Sequence, residues 1–317
     1  MKKISTLVLL SLFVFTYKNA TAQDPEFTQF YANPLYLNPA LAGSNICPRI
    51  CINYRNQWPG ISGTYVTTSA SFDRYVYKIK SGLGLIVMND IAGQGTLKTT
   101  NISGVYSYQL PITHTYSINF GLKATYGQKS IDWSKLTFGD MIDERQGFVK
   151  YTHETQGASK KSFVDFSAGI VGFSKRFFIG VAVDHITQPD EGLIYSSKLP
   201  MKITGHAGAL IPVGPRGSET TISPNILYQQ QQNFTQLNLG VYITKGSLVG
   251  GLWYRNNDSF IILLGVQRGI IKFGYSYDVT ISKLTNASAG SHELSLGFQF
   301  SCKKPKPKYR SNICPSF

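Results

Sequence analysis

Residues 116–126 read YSINFGLKATY, and their alternation decides the fold class. The even positions, such as Ile118, Phe120 and Leu122, are apolar or aromatic, whereas the odd positions are polar or glycine. Successive side chains of a β-strand point to opposite faces, so this segment predicts a strand with one apolar and one polar face. One face of such a strand contacts an apolar environment, and the other face contacts water.

The same alternation returns along most of the chain, for example at 271–278 and 292–301. Turn-forming residues separate the segments, and counting the segments predicts about fourteen strands. We place these strands at 48–57, 64–74, 81–90, 97–110, 114–128, 163–174, 176–187, 201–211, 219–229, 234–244, 247–255, 259–267, 270–279 and 291–302.

The amino-terminal residues predict export from the cytoplasm. Two lysines precede an apolar run at 4–17, and the small residues at 20–22 favour cleavage before Gln23. We therefore assign residues 1–22 to a signal peptide. The apolar run is too short for a comfortable membrane span, and no later apolar run reaches about 18 residues.

The composition agrees with an exported membrane protein. Charged residues make up 15% of the chain, against about a quarter in ordinary soluble domains. The formal net charge of +14 would suit nucleic acid, but an exported chain seldom meets it, so we expect no nucleic-acid partner. Only helices and closed barrels satisfy their backbone groups inside lipid, so an exported chain without a spanning helix predicts a barrel.

The lengths of the connections distinguish a barrel from a soluble sandwich, which has a similar alternation. Numbered in order, the three longest predicted connections are the fifth (129–162), the seventh (188–200) and the thirteenth (280–290). All three are odd, whereas the even connections are short, as in outer-membrane barrels with external loops and periplasmic turns. The sequence therefore predicts an all-β, antiparallel transmembrane β-barrel at 47–302, with both termini periplasmic and the long loops extracellular.

The strand pattern is less regular in two places. The predicted strands at 247–255 and 259–267 do not alternate cleanly between apolar and polar residues.

Aromatic residues are expected to gather at the two bilayer interfaces. The candidates for these rings are Tyr54, Trp58, Tyr65, Tyr106, Tyr108, Tyr116, Tyr126, Trp253 and Tyr254.

Residues 23–46 differ from the strands that follow them. They contain Asn33-Pro34 and Asn38-Pro39, both of which favour turns. Two interpretations stay open: a hatch-like plug that enters the barrel lumen, or a periplasmic lead-in without a function.

Several short motifs resemble the PorP/SprF family, outer-membrane proteins of the type IX secretion system of Bacteroidota. They are FTQF at 27–30, NP at 33–34, NPALAG at 38–43, RNQW at 55–58, GLG at 82–84, Asp90 with Gly93, WYR at 253–255, GYSYD at 274–278 and GSHEL at 290–294. No single motif is specific, but their order spans nearly the whole exported chain. The family-motif positions that we single out are Asn38, Pro39, Gly43, Arg55, Trp58, Tyr277 and Asp278.

The resemblance implies a non-catalytic component of type IX protein secretion. It implies a role in export, surface display or anchoring of a large adhesin-like cargo, including adhesins used in gliding motility. The implied partners are outer-membrane lipid, the exported adhesin or its C-terminal domain, and periplasmic ring or peptidoglycan-linked secretion subunits. The resemblance implies no enzyme activity, no catalytic residue and no cofactor.

Two other functions remain as alternatives. Fatty-acid channels also combine fourteen strands with an amino-terminal hatch, so a channel for hydrophobic or small solutes is the main one. A barrel lipase is the second, because Asp184-His185 resembles part of a hydrolase triad, although a triad is defined by geometry. The histidines show no spacing typical of metal ligands, so no metal site is predicted.

The cysteines lie at the two ends of the strand region, and they are candidates for disulfide bonds. Barrel closure brings the start of the first strand beside the end of the last, which would allow a disulfide across the seam. Local pairing within each end is the alternative, and we favour the seam. The four candidates are Cys47, Cys51, Cys302 and Cys314.

The chain ends in a basic segment at 303–317, which we expect in the periplasm. Pro305 and Pro307 favour an extended form. The segment either docks on an acidic periplasmic partner, which we prefer, or is a solvated tail. Its candidate partner-binding residues are Lys303, Lys304, Lys306, Lys308 and Arg310.

Overall fold

A computed structural model describes residues 23–302, apart from 114, 144, 155, 175, 216–219 and 282–287. The predicted signal peptide at 1–22 and basic tail at 303–317 therefore lie outside the described residues. Among the residues that are described, no helix has the length and apolar character needed to cross a membrane.

Within the described residues, fourteen antiparallel strands close into a single barrel. Each strand pairs with its sequence neighbours, and the first strand pairs with the last, from Arg49 opposite Gln299 to Gln57 opposite Ser291. The strands are β1 (Arg49–Gln57), β2 (Tyr65–Val76), β3 (Ser81–Ala92), β4 (Leu97–Pro111), β5 (Ser117–Ile131), β6 (Lys160–Phe173), β7 (Phe177–Asp184), β8 (Lys202–Ala209, continued by Ile211–Val213), β9 (Thr220–Gln231), β10 (Phe234–Lys245), β11 (Leu248–Arg255), β12 (Ser259–Arg268), β13 (Ile271–Thr280) and β14 (Ser291–Gln299). The predicted all-β barrel is confirmed.

The alternation read from the sequence corresponds to the two faces of the wall. In β5, Ser117 and Asn119 point inward and are buried, whereas Phe120 and Leu122 point outward and are 45% and 62% exposed. Apolar side chains therefore cover the outside of the barrel, where lipid replaces water as the surrounding medium.

The connections divide the barrel into two unlike ends. The described residues at the long-loop end are 58–64, 93–96, 132–143, 145–154, 156–159, 185–201, 232–233, 256–258, 281 and 288–290. A small hairpin of Ile142–Asp143 and Gly147–Phe148 lies in its longest loop. The described residues at the short-turn end are 77–80, 112–113, 115–116, 174, 176, 214–215, 246–247 and 269–270.

Residues 23–46, which we call the luminal segment, lie inside the barrel and contact strands on all sides of the lumen. The segment forms three short helical pieces at Phe30–Ala32, Pro34–Leu37 and Pro39–Leu41. Prolines begin the second and third pieces, where the missing N–H has no intrahelical partner to lose. The turn signals of the sequence thus correspond to a compact path of short helical pieces that fits inside the lumen.

Apolar packing fills the half of the lumen that lies nearer the short-turn end. Phe30, Tyr31 and Leu41 of the luminal segment pack against inward side chains of β6, β7 and β9–β12. The Phe30 and Trp253 rings meet edge to face with their centroids 5.1 Å apart. This packing explains why apolar and polar residues do not alternate in β11 and β12. The inward side chains of these strands contact apolar residues of the luminal segment, and their outward side chains face lipid.

Trp253 therefore corrects one expectation from the sequence. We expected it among the interfacial aromatic residues, but it points into the lumen and is 2% exposed. Inward aromatic residues are uncommon in water-filled barrels, and here they face apolar side chains of the luminal segment rather than water.

The two ends of the described chain lie at opposite ends of the barrel. Cys302 follows β14 at the short-turn end, as expected. Asp24, however, donates its backbone N–H to Gln231 Oε1 (3.1 Å), and Gln231 ends β9 at the long-loop end. The expectation that both ends lie on one side is thus wrong for residues 23–24, because the luminal segment runs the length of the lumen before β1 begins.

Candidate functional site

Four buried charged residues from neighbouring strands meet inside the lumen, and we call them the ion cluster. Arg55 Nη2 lies 3.0 Å from Asp278 Oδ2, and Arg55 Nη1 lies 3.3 Å from Glu293 Oε2. Arg255 Nη1 lies 3.3 Å from the same oxygen of Asp278. All four are almost completely buried. Each occupies an inward position of its strand, which brings the four side chains together.

The luminal segment completes the ion cluster. The backbone N–H groups of Thr28 and Gln29 donate to the two carboxylate oxygens of Glu293, at 2.5 and 3.0 Å. The Thr28 hydroxyl donates to Asp278 Oδ2 (2.8 Å) and accepts from Arg55. Removing one partner from a buried ion pair costs about 3–5 kcal/mol, because a charge is left uncompensated. The cluster therefore holds the segment only while all its members are present.

Asn38 provides a second anchor halfway along the lumen. Its Oδ1 accepts from the backbone N–H of Ala40 (2.9 Å) and so caps the helical piece Pro39–Leu41. Its Nδ2 donates to the backbone oxygen of Val181 (3.1 Å) and lies 3.2 Å from Nε2 of His206. One side chain thus orders the segment and ties it to β7 and β8.

A third anchor lies near the short-turn end. The backbone N–H of Gly43 donates to Asp73 Oδ2 (2.8 Å), and Arg49 Nε lies 2.9 Å from Asp73 Oδ1. Gly43 has φ +63°, and a Cβ added at Gly82 would lie 2.1 Å from the backbone oxygen of Ala42. Glycine is required at both positions, because the segment and the barrel wall touch backbone to backbone.

A disulfide joins the end of the luminal segment to the end of the barrel. Cys47 and Cys302 are bonded, with their Cα atoms 5.5 Å apart, across the β1–β14 seam. Cys51 points into the lumen, is buried and has a free thiol. Cys314 lies outside the described residues.

Near the long-loop end, the luminal segment leaves a cavity of about 440 Å³, which we call the vestibule. Its charged side is an ion-pair network. Asp24 Oδ2 lies 2.8 Å from Lys202 Nζ and 2.7 Å from His185 Nε2, and His185 Nδ1 lies 2.8 Å from Asp165 Oδ2. The network fixes the start of the luminal segment to β6 and β8.

Two more lysines of the vestibule wall are paired with carboxylates. Lys123 Nζ lies 2.8 Å from Asp184 Oδ1, and Lys129 Nζ lies 2.8 Å from Glu191 Oε1. Apolar and aromatic side chains complete the lining of the vestibule, next to polar side chains of β2–β4. They are Trp58, Tyr65, Ile86, Met88, Leu97 and Phe163.

His185 is not arranged as the base of a hydrolase triad. Both of its ring nitrogens lie within hydrogen-bond distance of carboxylates, Asp165 and Asp24, so neither is left to activate a serine. Asp184, its sequence neighbour, is held by Lys123 instead. Among the described residues, no group of three or more His, Cys, Asp and Glu side chains is placed to hold a metal ion.

Of the family-motif positions, the structure brings two into the ion cluster, Arg55 and Asp278. Asn38, Pro39 and Gly43 lie on the luminal segment and make its second and third anchors. Trp58 lies at the rim of the vestibule, with its ring edge to face on Tyr65 at 6.0 Å. Tyr277 is separate from all of these, because it occupies an outward position of β13 and contacts the His292 ring. Outside the described residues lie Lys303, Lys304, Lys306, Lys308 and Arg310.

Sequence reasoning missed several residues that anchor the luminal segment. Glu293 and Arg255 belong to the quoted motifs but were given no role. The signal that points to them is a charged residue at one of the alternate strand positions that carry polar side chains, in a chain that has few charges. No comparable signal marks the vestibule network of Asp24, His185 and Lys202, because it depends on where the luminal segment ends.

The loops at the long-loop end carry carboxylates that remain charged. The backbone N–H of Ser197 donates to Asp190 and holds the pKa of that carboxyl below its usual value. The backbone N–H of His153 does the same for the pKa of Asp140. A partner that approaches this end therefore meets charged carboxylates.

Comparison with known proteins agrees with the geometry of the barrel. The model of the family described as "Type IX secretion system membrane protein PorP/SprF" matches residues 19–298. No curated protein matches the chain.

Solved structures give weaker similarities. A FadL homologue from Pseudomonas aeruginosa is 12% identical, with a TM-score of 0.46 over 83% of this chain and 93% of that one. Omp33 from Acinetobacter baumannii is 9% identical, with a TM-score of 0.43 over 80% and 99%. The translocator domain of the autotransporter NalP from Neisseria meningitidis is 11% identical, with a TM-score of 0.43 over 80% and 88%. These similarities carry no argument about function.

Proposed function

The chain belongs to the PorP/SprF family of type IX secretion system membrane proteins, and from this premise we propose a non-catalytic role in displaying a secreted cargo. The protein is an outer-membrane component of type IX secretion. In our proposal it supports the export, surface display or anchoring of a large adhesin-like protein and links it to the periplasmic secretion and gliding machinery. The family match over residues 19–298 is the observation that carries this proposal.

The filled lumen supports anchoring rather than passage through the barrel. The luminal segment is hydrogen-bonded at the ion cluster, at Asn38 and at Gly43, and the disulfide of Cys47 follows it directly. A secreted adhesin would need a wide open path, and so would free diffusion of solutes. The same packing therefore counts against the alternative function as a channel for hydrophobic or small solutes.

The short-turn end supports contact with an acidic partner in the periplasm. Exposed basic residues stand on its described turns and strand ends: Lys78, Lys80, Arg176, Lys245 and Arg268. Together with the basic tail at 303–317, they would present a cationic face to the secretion subunits that lie below the membrane.

Deletion of the gene tests the role in secretion. We expect the cargo adhesin to disappear from the cell surface, while other outer-membrane proteins remain at their usual level. Surface adhesin that is unchanged after deletion removes the proposal. Pull-down of the tagged protein from outer membranes, with identification of the proteins that co-purify, then tests the periplasmic link.

A further inference from the structure

One wall of the vestibule is lined by oxygen acceptors that lack a cationic partner. Asp90 on β3 lies directly opposite Thr99 on β4 and Thr67 on β2, and all three point inward. Asn101 follows on the same face of β4. Residues opposite each other on antiparallel strands have their Cβ atoms about 4.5–5.5 Å apart. These side chains therefore form one contiguous patch, which we call the acceptor patch.

Asp90 differs from the other carboxylates that line the vestibule. Asp24, Asp165, Asp184 and Glu191 each pair with a lysine or with His185. Among the described residues, Asp90 has no ion pair and accepts only from the Thr67 hydroxyl, at 2.6 Å. The nearest lysine of the wall, Lys129, lies opposite Thr99 but is held by Glu191.

Asn101 adds a second acceptor. Its Oδ1 is buried and has no hydrogen-bond partner among the described residues. This oxygen lies over Gly127 of β5, and a buried acceptor without a partner is costly. A donor from a ligand would satisfy it once the amide turns toward the vestibule. Asp90 and Asn101 together offer a carboxylate and a carbonyl oxygen to a cationic donor, which is the chemistry that a guanidinium or an ammonium group prefers.

Aromatic rings stand beside the acceptor patch at the mouth of the vestibule. Tyr65 is diagonal to Asp90 across the β2–β3 pair, is 44% exposed and contacts the Trp58 ring edge to face. Aromatic faces attract cations and bury the alkyl part of a long side chain. The deeper wall at Ile86 and Met88 is apolar. The vestibule thus suits a cation that is carried on an apolar chain.

We infer that the vestibule binds a lysine or arginine side chain of an exported polypeptide, with Asp90 and Asn101 as its acceptors and Trp58 and Tyr65 as its aromatic rim. Its volume of about 440 Å³ lies in the range of sites that enclose small ligands or a few side chains. A stretch of polypeptide already lies in the vestibule, because Asp24 and Pro25 line it. The identity of the occupant as an exported protein rests on the proposed function.

The test measures peptide binding to the full-length protein in detergent micelles. The probe is a dye-labelled, capped tetrapeptide with one arginine among leucines, and its matched control carries citrulline, which has the same shape without the charge. Fluorescence anisotropy at low salt should show the arginine peptide binding at least about tenfold more tightly, because charge-assisted hydrogen bonds are worth 1.5–3 kcal/mol. The preference should vanish in Asp90→Asn, weaken in Asn101→Ala and persist in Asp140→Asn, which alters an exposed loop.

Equal binding of the two peptides by the wild-type protein overturns the inference, and so does an unchanged preference in Asp90→Asn. Free arginine amide that binds as tightly as the peptide also overturns it, since the site would then serve a solute. Heat-dependent gel mobility checks that each variant has formed its barrel, and Asn101→Ala keeps the test decisive if Asp90→Asn does not fold. Loss of surface adhesin on gene deletion, combined with equal peptide binding, would remove the vestibule site and leave the secretion role intact.

Discussion

Arg55 and Glu293 lie directly opposite each other across the β1–β14 seam, and their side chains meet inside the lumen with Nη1 and Oε2 3.3 Å apart. The same Glu293 carboxylate accepts hydrogen bonds from the backbone N–H groups of Thr28 and Gln29 in the luminal segment. One carboxylate therefore links the strand pair that closes the barrel to the segment that fills its lumen, and its loss should weaken both.

Glu293→Gln tests this coupling. The amide keeps the shape of the side chain but leaves Arg55 with one less counter-charge in a buried site, so we expect a loss of about 3–5 kcal/mol in the free energy of unfolding. Urea unfolding in micelles measures the loss. Glu154→Gln, in an exposed loop, should leave the stability unchanged. Equal stability of the wild type and Glu293→Gln would show that the ion cluster does not support the barrel.

Gly121→Ala tests the close approach of the luminal segment to β5. A Cβ at Gly121 would lie 2.1 Å from the backbone nitrogen of Ala40, and backbone cannot yield as a flexible side chain does. We expect a loss of about 1–3 kcal/mol, as for other overpacked sites, and faster proteolysis of the luminal segment.

Gly104→Ala is the matched control for this substitution. It lies in the neighbouring strand β4, and nothing stands within 4 Å of its added Cβ. Gly104 lies at an outward position, so this variant reports the effect of a Gly→Ala change in a barrel strand that has no contact with the luminal segment. Similar stability and similar proteolysis of both would mean that the segment does not occupy the lumen as described.

Deletion of residues 24–42 tests whether the luminal segment blocks the barrel. The wild-type protein should conduct ions poorly in planar bilayers, because the segment contacts the wall along the whole lumen. The deletion retains Cys47 and should raise the conductance severalfold, since the polar inward residues of β1–β5 would then face water. High conductance of the wild-type protein would instead favour the solute channel.

The alternation seen at residues 116–126 predicted strands with one apolar face, because lipid on one side and a polar lumen on the other impose a period of two. The lengths of the connections were needed to distinguish a barrel from a sandwich. The alternation of apolar and polar residues was least regular in β11 and β12, because Trp253, Ile261 and Leu263 point inward although they are apolar. Their environment is set by Phe30 and its neighbours, more than 200 positions earlier in the chain. A local pattern cannot report such a contact.

The candidate site was predictable only in part, for a similar reason. Arg55 and Asp278 were singled out by the resemblance to the family. They meet because both occupy inward-facing positions of their strands. The vestibule network depends on Asp24, which reaches Lys202 and His185 because the luminal segment runs to the long-loop end. Nothing in the residues at 23–46 indicates the direction in which the segment runs.

Cys47→Ser tests the disulfide at the seam. The bond closes a loop between residues separated by 255 positions, and disulfides typically contribute about 2–4 kcal/mol by restricting the unfolded chain. We expect a lower unfolding midpoint without reductant and no further change on adding reductant. Cys51→Ser is the control, because the Cys51 thiol is free. If Cys51→Ser destabilised the protein as much as Cys47→Ser, the bond to Cys302 would be in doubt.

Charge reversal at the short-turn end tests the proposed contact with acidic periplasmic subunits. Lys78→Glu together with Lys80→Glu places two negative charges on the exposed turn between β2 and β3, so co-purification of an acidic partner should fall severalfold and the loss should be greater at low salt. Barrel stability should not change, because surface charges contribute little to it. The matched control is Lys135→Glu with Lys150→Glu at the long-loop end, which should leave co-purification unaffected. An equal loss in both double variants would mean that the contact depends on net charge alone, and no loss in either would remove the cationic face from the proposal.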